Sequence, residues 1–376
     1  SLQDRSLTTE QQANIVSFVD RCCQSSHYKK ALVRSTKSHG RCPPHARDIL
    51  LRSLGTGLTA APAPSVLVTT GAPPVLDISD LSCRITEIPE LLDRLGRLPR
   101  SASTIEIKLN EFTYASALAI LAQWLLSRQY IGMHHFVNLS HKMDQYLERV
   151  RFHAALRNPE IKISMDMMDW SIGLTRINAD APTELVTQKI VDIITTFTYP
   201  GEEDQQALLV LISEMIENIH RHAEIKEDGF AIAQLYPRLL KMGITFVDAG
   251  MGIRRSFETG EPSVSIDSAK TDADFLKLAV QLHSTSKRQA HAGYGLYLLK
   301  ELVARNRGTF LLSSGDATLV GYQTGKEVKM DIYNHMPWQG TIISVILDLQ
   351  QRLPLMEIYS NMPSPRGYED DEFFTR

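Results

Sequence analysis

The stretch from Glu202 to Asp248 changes its hydrophobic period once, and that change restricts the fold more than any other feature of the chain. Leu208, Leu211, Ile212, Met215 and Ile219 recur at helical spacing and give the segment Glu202–Ala223 one apolar face. Phe230–Tyr236 and Lys241–Asp248 then alternate with a period of two, as paired, half-buried strands do. Similar patterns extend to either side. Gly173–Asn178 is a strand, and Pro182–Phe197, Asp272–His283 and Tyr294–Arg305 are helices. Thr309–Ser313 and Thr341–Leu347 are further strands. Helices segregate from an antiparallel sheet, so the class is α+β.

The long helix also carries a polar stripe. Glu214, Asn218 and His222 recur every fourth residue and share one face. An amide oxygen one turn from a carboxylate suits a magnesium ion that keeps several waters and is otherwise held by phosphates. The carboxylate can then orient or deprotonate a nucleophile. A solvated helix face has the same spacing, so the stripe gains meaning only beside the glycine-rich segments C-terminal to it. Phe246-Val247-Asp248-Ala249-Gly250-Met251-Gly252 is a strand ending in Asp, with two glycines after it. Asp248 there can accept a hydrogen bond from an adenine amino group, and Gly250 and Gly252 let backbone approach the base without a Cβ in the way. Gly293-Tyr294-Gly295-Leu296 opens a helix that stops at Gly308, and backbone N–H groups at such a start form an anion site. Either glycine pair alone fits an ordinary turn. His222 reads as structural rather than catalytic.

Taken in order, these segments resemble the GHKL superfamily: gyrase-type ATPases, the heat-shock chaperone family, histidine kinases and anti-sigma serine kinases. Ser213–Ala223 is similar to its N box, Asp248–Gly252 to its first glycine box and Gly293–Leu296 to its second. Gly340-Thr341 resembles a Gly-Thr pair that lies near the adenine, and His283-Ser284-Thr285-Ser286-Lys287-Arg288 looks like the lid. The resemblance covers roughly residues 175–350. It implies a Bergerat α/β sandwich, with a mixed, mostly antiparallel sheet and helices on one face, binding ATP and Mg2+. It further implies Glu214 as the catalytic base, Asn218 on the magnesium and Asp248 on the adenine. Gly250, Gly252, Gly293, Gly295, Leu296 and Thr341 would shape the nucleotide pocket, and Ser284, Thr285, Lys287 and Arg288 would meet phosphates. The lid cations read equally well as solvated charge.

Ahead of this region, residues 75–168 read as a small α/β layer. Thr104–Leu109 alternates as a strand and a turn comes next at Asn110-Glu111. An apolar helix with Trp124 runs to Leu126, then His135–Leu139 is a strand and Asp144–Leu156 a helix. The order resembles the STAS domain, with Ser116 at the phospho-acceptor place, although Tyr114 and Ala117 stand where that family has Asp and Gly. Ser116 simply beginning a helix is the plainer reading. Residues 1–74 read as a helical and basic segment that ends in a Gly/Ala/Pro/Thr-rich linker from Gly55. Cys22, Cys23, His27, His39, Cys42 and His45 crowd there, but fit no standard paired zinc signature. Residues 351–376 read as an aperiodic tail with acidic Glu369–Glu372.

Composition enters as exclusion. The net charge of −3 gives no whole-chain pointer to nucleic acid or membrane, although nucleic acid is not excluded as a partner. Four cysteines in 376 residues make no disulfide framework. No apolar run approaches the ~20 residues of a membrane span, and the first residues lack a signal peptide's apolar core. The expectation is a cytoplasmic protein. Three functions fit. The first is an Mg-dependent ATPase whose nucleotide state controls conformation or binding of a protein partner, reasonably as a homodimer. The second is an anti-sigma-type serine kinase acting on a STAS-like domain. The third is a non-catalytic, ATP-regulated binding module. The ATPase is preferred because a carboxylate precedes Asn218 by one turn. A histidine kinase would need a helical hairpin where residues 75–168 read as α/β.

Overall fold

The structure, a computed structural model, describes residues 73–82, 84–99, 104–128, 134–157, 170–177, 183–222, 228–286, 294–324 and 327–362. The side chains of Ile219–His222 are also outside the description. So are Lys287, Arg288 and Gly293, the N-terminal Cys/His group and the acidic tail. All described residues belong to one compact unit.

The first half forms a three-stranded parallel sheet in the order β1-β2-β3, made of Val75–Ile78, Ile105–Leu109 and His134–Phe136. Helix α1 (Ile88–Arg97) and helix α2 (Ala115–Ser127) make the crossovers that parallel pairing requires. The single helix expected over Asp144–Leu156 is two helices, α3 (His141–Arg149) and α4 (Phe152–Arg157). Arg151 adopts a positive φ of 59° between them. The Val150 carbonyl is thereby turned out of the helix to accept a hydrogen bond from Leu174 N at 2.8 Å.

Leu174 belongs to β4 (Ser171–Ile177), the first strand of the main sheet. The others are β5 (Gly229–Tyr236), β6 (Lys241–Val247), β7 (Thr309–Thr324) and β8 (Glu327–Asp348). The order is β4-β5-β6-β8-β7 and every pairing is antiparallel. The strands expected at 309–313 and 341–347 are thus the inner ends of a long hairpin. It continues through register shifts at Ser314/Gly315 and Gly315/Ala317. Helices α5 (Thr183–Thr198) and α6 (Glu202–His222) follow β4, α7 (Ile253–Thr259) and α8 (Asp272–Ala279) follow β6, and α9 (Gly295–Asn306) leads into β7. Where an aperiodic tail was expected, Leu355–Ser360 forms α10.

The strand period of two divides the main sheet's side chains between two cores. Ala231, Ala233, Phe246, Phe310 and Leu312 face one core with α5, α6, α8 and α9. Phe230, Ile232, Val247, Leu311 and Ile342 face the other with Leu118, Leu121 and Leu125 of α2. The sheet is covered on both faces rather than one. The stretches 75–168 and 169–350 accordingly share a core. The class is α+β, a helix-covered antiparallel sheet joined to a small parallel one. Among the described residues no helix is long and apolar enough to cross a membrane.

Candidate functional site

Asp248 follows β6 directly and is 4% exposed. Its backbone N–H donates to Thr341 O at 2.9 Å, which continues the β6–β8 ladder by one residue. One carboxylate oxygen, Oδ1, accepts from Gly250 N at 2.7 Å and from Thr341 N at 3.2 Å. Burial pushes its pKa up to about 7, against the pull of those two backbone N–H groups. No salt bridge joins Asp248 to a cation among the described residues.

The chain beyond Asp248 is held in a shape that only glycine tolerates. Gly252 has φ 78° and a Cβ there would lie 2.7 Å from Ser314 Oγ. Gly340 has φ 96° and a Cβ there would lie 2.2 Å from Asp248 O. Ser314 Oγ accepts from Ile253 N at 2.9 Å and donates to Gly340 O at 2.8 Å, so it ties the start of α7 to β8. Gln339 Nε2 donates to Ala249 O at 3.1 Å. Asp248, Gly250, Gly252 and Thr341, expected together, are together. Ser314 and Gln339 carry no sequence signal of their own, because only the hairpin register brings them here.

Glu214 and Asn218 lie half-buried on α6. A Cβ on Gly295 would come within 2.3 Å of Glu214 Oε2, so the first residue of α9 is pressed against that carboxylate. This contact joins Gly295 to the long helix. No hydrogen bond is made by the Asn218 amide to any of the described residues. Leu296 is half-buried and packs against the core beside α6.

Of the lid residues that the sequence implies, Ser284 and Thr285 lie among the described residues. Thr285 N donates to Ser263 Oγ at 3.0 Å, and Ser263 N donates to Thr285 O at 2.9 Å. Ser284 is 7% exposed, and its buried hydroxyl has no partner among the described residues. His283, at φ 60°, sets its ring 5.3 Å from that of Tyr294, immediately before α9. These ties hold 283–286 to the loop at 260–263.

Among the described residues no three His, Cys, Asp or Glu side chains gather into a metal cluster. The Asn218 amide oxygen is of the kind that a magnesium ion can take beside phosphates and water. A cleft of about 200 Å³, lined in part by Met251, Gly252, Arg254, Ser314, Trp338 and Gly340, shares backbone with the Asp248 loop. It contains neither Asp248 nor Glu214 nor Asn218, so it is not the nucleotide pocket the sequence implies. No protein-family model matches the chain, and no curated protein matches its sequence.

Proposed function

We propose that the chain binds ATP with magnesium between the Asp248 loop, the start of α9 and the polar face of α6, and hydrolyses it. The observation that carries this reading is Asp248: a carboxylate 4% exposed, held through one oxygen by two backbone N–H groups. Burying a carboxylate without a cation is costly, and a site that keeps one has a use for it. A base amino group donating to the other oxygen would compensate that cost. The fit is supported by Gly252 and Gly340, where any Cβ would collide with the loop, and by Gly295 against Glu214.

Bound magnesium would neutralise charge on the phosphates, with the Asn218 amide oxygen as its protein donor. Glu214 orients a water for attack on the terminal phosphorus and takes its proton. The bond from that phosphorus to the bridging oxygen breaks, leaving ADP and inorganic phosphate. The nucleotide state would then control conformation or engagement of a protein partner, a second copy included.

Incubation with γ-labelled ATP tests the reading. Free phosphate is the expected product, lost in Glu214→Gln with nucleotide affinity retained. Label held on the protein and lost in Ser116→Ala would replace hydrolysis with the serine-kinase reading. Binding without either product would leave a nucleotide-regulated module.

A further inference from the structure

Strand β8 pairs with β6 only over Ile342–Asp348, and its outer half meets helix α1 of the small parallel layer. There the register shift sets His335, Met336 and Pro337 opposite Asp316 alone. Pro337 has no N–H to give, and Met336 has no pairing partner on β7. The Met336 N–H donates instead to Asp93 Oδ1 of α1 at 2.8 Å. The other oxygen, Oδ2, accepts from Arg97 Nη2 one turn along at 2.6 Å, which holds the carboxylate to its own helix. Gly96 lies against the same residue, for a Cβ there would be 2.2 Å from Met336 Cβ. The Met336 carbonyl accepts from His335 Nδ1 at 2.8 Å. His335 is buried and sets Nε2 2.9 Å from Thr318 Oγ1 and 3.1 Å from Ser313 Oγ, both on β7. Met336 is thus gripped by α1 at its N–H and by the hairpin at its carbonyl.

The residues that shape the Asp248 loop follow Met336 closely in the chain. Gln339 Nε2 donates to Ala249 O, Gly340 O accepts from Ser314 Oγ, and Thr341 N donates to Asp248 Oδ1 at 3.2 Å. That last bond is long, so a small outward shift of β8 breaks it. We propose that Asp93 is a positioning residue for the Asp248 site, holding the β8 bulge so that Gln339, Gly340 and Thr341 stand where the carboxylate and its loop need them. The proposal rests on the reading of Asp248 as the nucleotide contact. It makes α1, which touches no part of that loop, a support of its geometry through the backbone of β8. Linked equilibria are reciprocal, so bound nucleotide in turn tightens the hold of Asp93 on Met336.

Calorimetric titration of the full chain with ATP and magnesium separates this role from support of the fold. A partly unfolded variant binds fewer equivalents at the same affinity, whereas a displaced loop binds as many more weakly. Asp93→Ala is expected to weaken ATP about 3- to 10-fold at unchanged stoichiometry. Asp93→Asn keeps an acceptor oxygen and is expected to stay within about 2-fold of the wild type. Hydrogen exchange at the Met336 amide gives a second readout: ATP with magnesium slows it more in the wild type than in Asp93→Ala. Unchanged affinity in Asp93→Ala, or Asp93→Asn weakened as much as Asp93→Ala, overturns the role. Met336 exchange that ignores bound ATP in the wild type overturns the coupling. A wild type that binds no ATP removes the Asp248 reading and the positioning role with it, while faster Met336 exchange in Asp93→Ala leaves the tie between α1 and β8 in place.

Discussion

Helices α2 and α6 pack on opposite faces of the same five-stranded sheet, and they are built by different rules. Helix α2 is buried on nearly every side, from Ala115 through Leu125, and its contacts with Phe230, Ile232 and Val247 are apolar. Helix α6 buries Leu208, Leu211, Met215 and Ile216 against the sheet, but leaves Glu214 and Asn218 half-buried, Glu214 against the first residue of α9. A helix that only had to close a core would be better served by the first pattern. The second forgoes apolar burial for a half-buried amide and a carboxylate placed next to a glycine. One face of the sheet is therefore a packing face, and under the proposed function the other is the working face. Substitutions on the first should change stability alone, and those on the second should change function with little or opposite effect on stability.

The largest expected separation is at Glu214. Glu214→Gln should lower ATP turnover by roughly 10²–10⁴-fold, with nucleotide affinity and thermal midpoint close to wild type. A phosphate-release assay beside calorimetry checks this, and a fully active variant removes Glu214 as the base. On the packing face, Leu118→Ala should cost about 2–5 kcal/mol in denaturant unfolding while affinity of the folded protein for ATP stays the same. Lost affinity at unchanged stability would mean that the two faces are not separate in function.

Asp248 gives the comparison its sharpest form, because its sign is opposite. Its pKa is raised in the fold from the ordinary 3.8 to about 7. The folded state therefore binds a proton more tightly than the unfolded state does. Stability is fully present below the unfolded value and is lost as pH rises through about 7. Asp248→Asn has no charge to bury, and should exceed the wild type in stability at pH 8–9 by up to ~2–4 kcal/mol, matching it near pH 4. Melting curves across that range test it, and a variant less stable at every pH would contradict it. The smallest effect is expected at Gln123, whose Oε1 is buried in α2 without a partner among the described residues. Gln123→Leu should stabilise by ~1 kcal/mol, read from the same unfolding curves.

The two faces were also unequally legible in the sequence. The helical period of Glu202–Ala223 and the alternation of Phe230–Tyr236 are local, and the elements lie within a residue or two of where those patterns end. The strand-end Asp248 and its glycines are local too. The features that escaped the sequence depend on pairing. The sequence patterns end at Ser313 and begin again at Thr341, yet β7 and β8 run on through Ser314-Gly315-Asp316 and Pro337 by shifting register. That shift is what delivers Ser314 and Gln339 to the Asp248 loop. The break at Val150–Arg151 results from a hydrogen bond to Leu174, distant in sequence. Helix α10 is too short for its period to show, and its stability comes from packing on α6 and α9. The placement of α2 on the main sheet, which joins two stretches that read as separate, lies in no local pattern at all.

The central claim is that the buried Asp248 carboxylate exists to hold a nucleotide base, and calorimetric titration of ATP with magnesium at pH 8 tests it most directly. The account predicts that the wild type binds and that Asp248→Asn, although folded and more stable, binds at least about 100-fold more weakly. Equal affinity in the two proteins would contradict it.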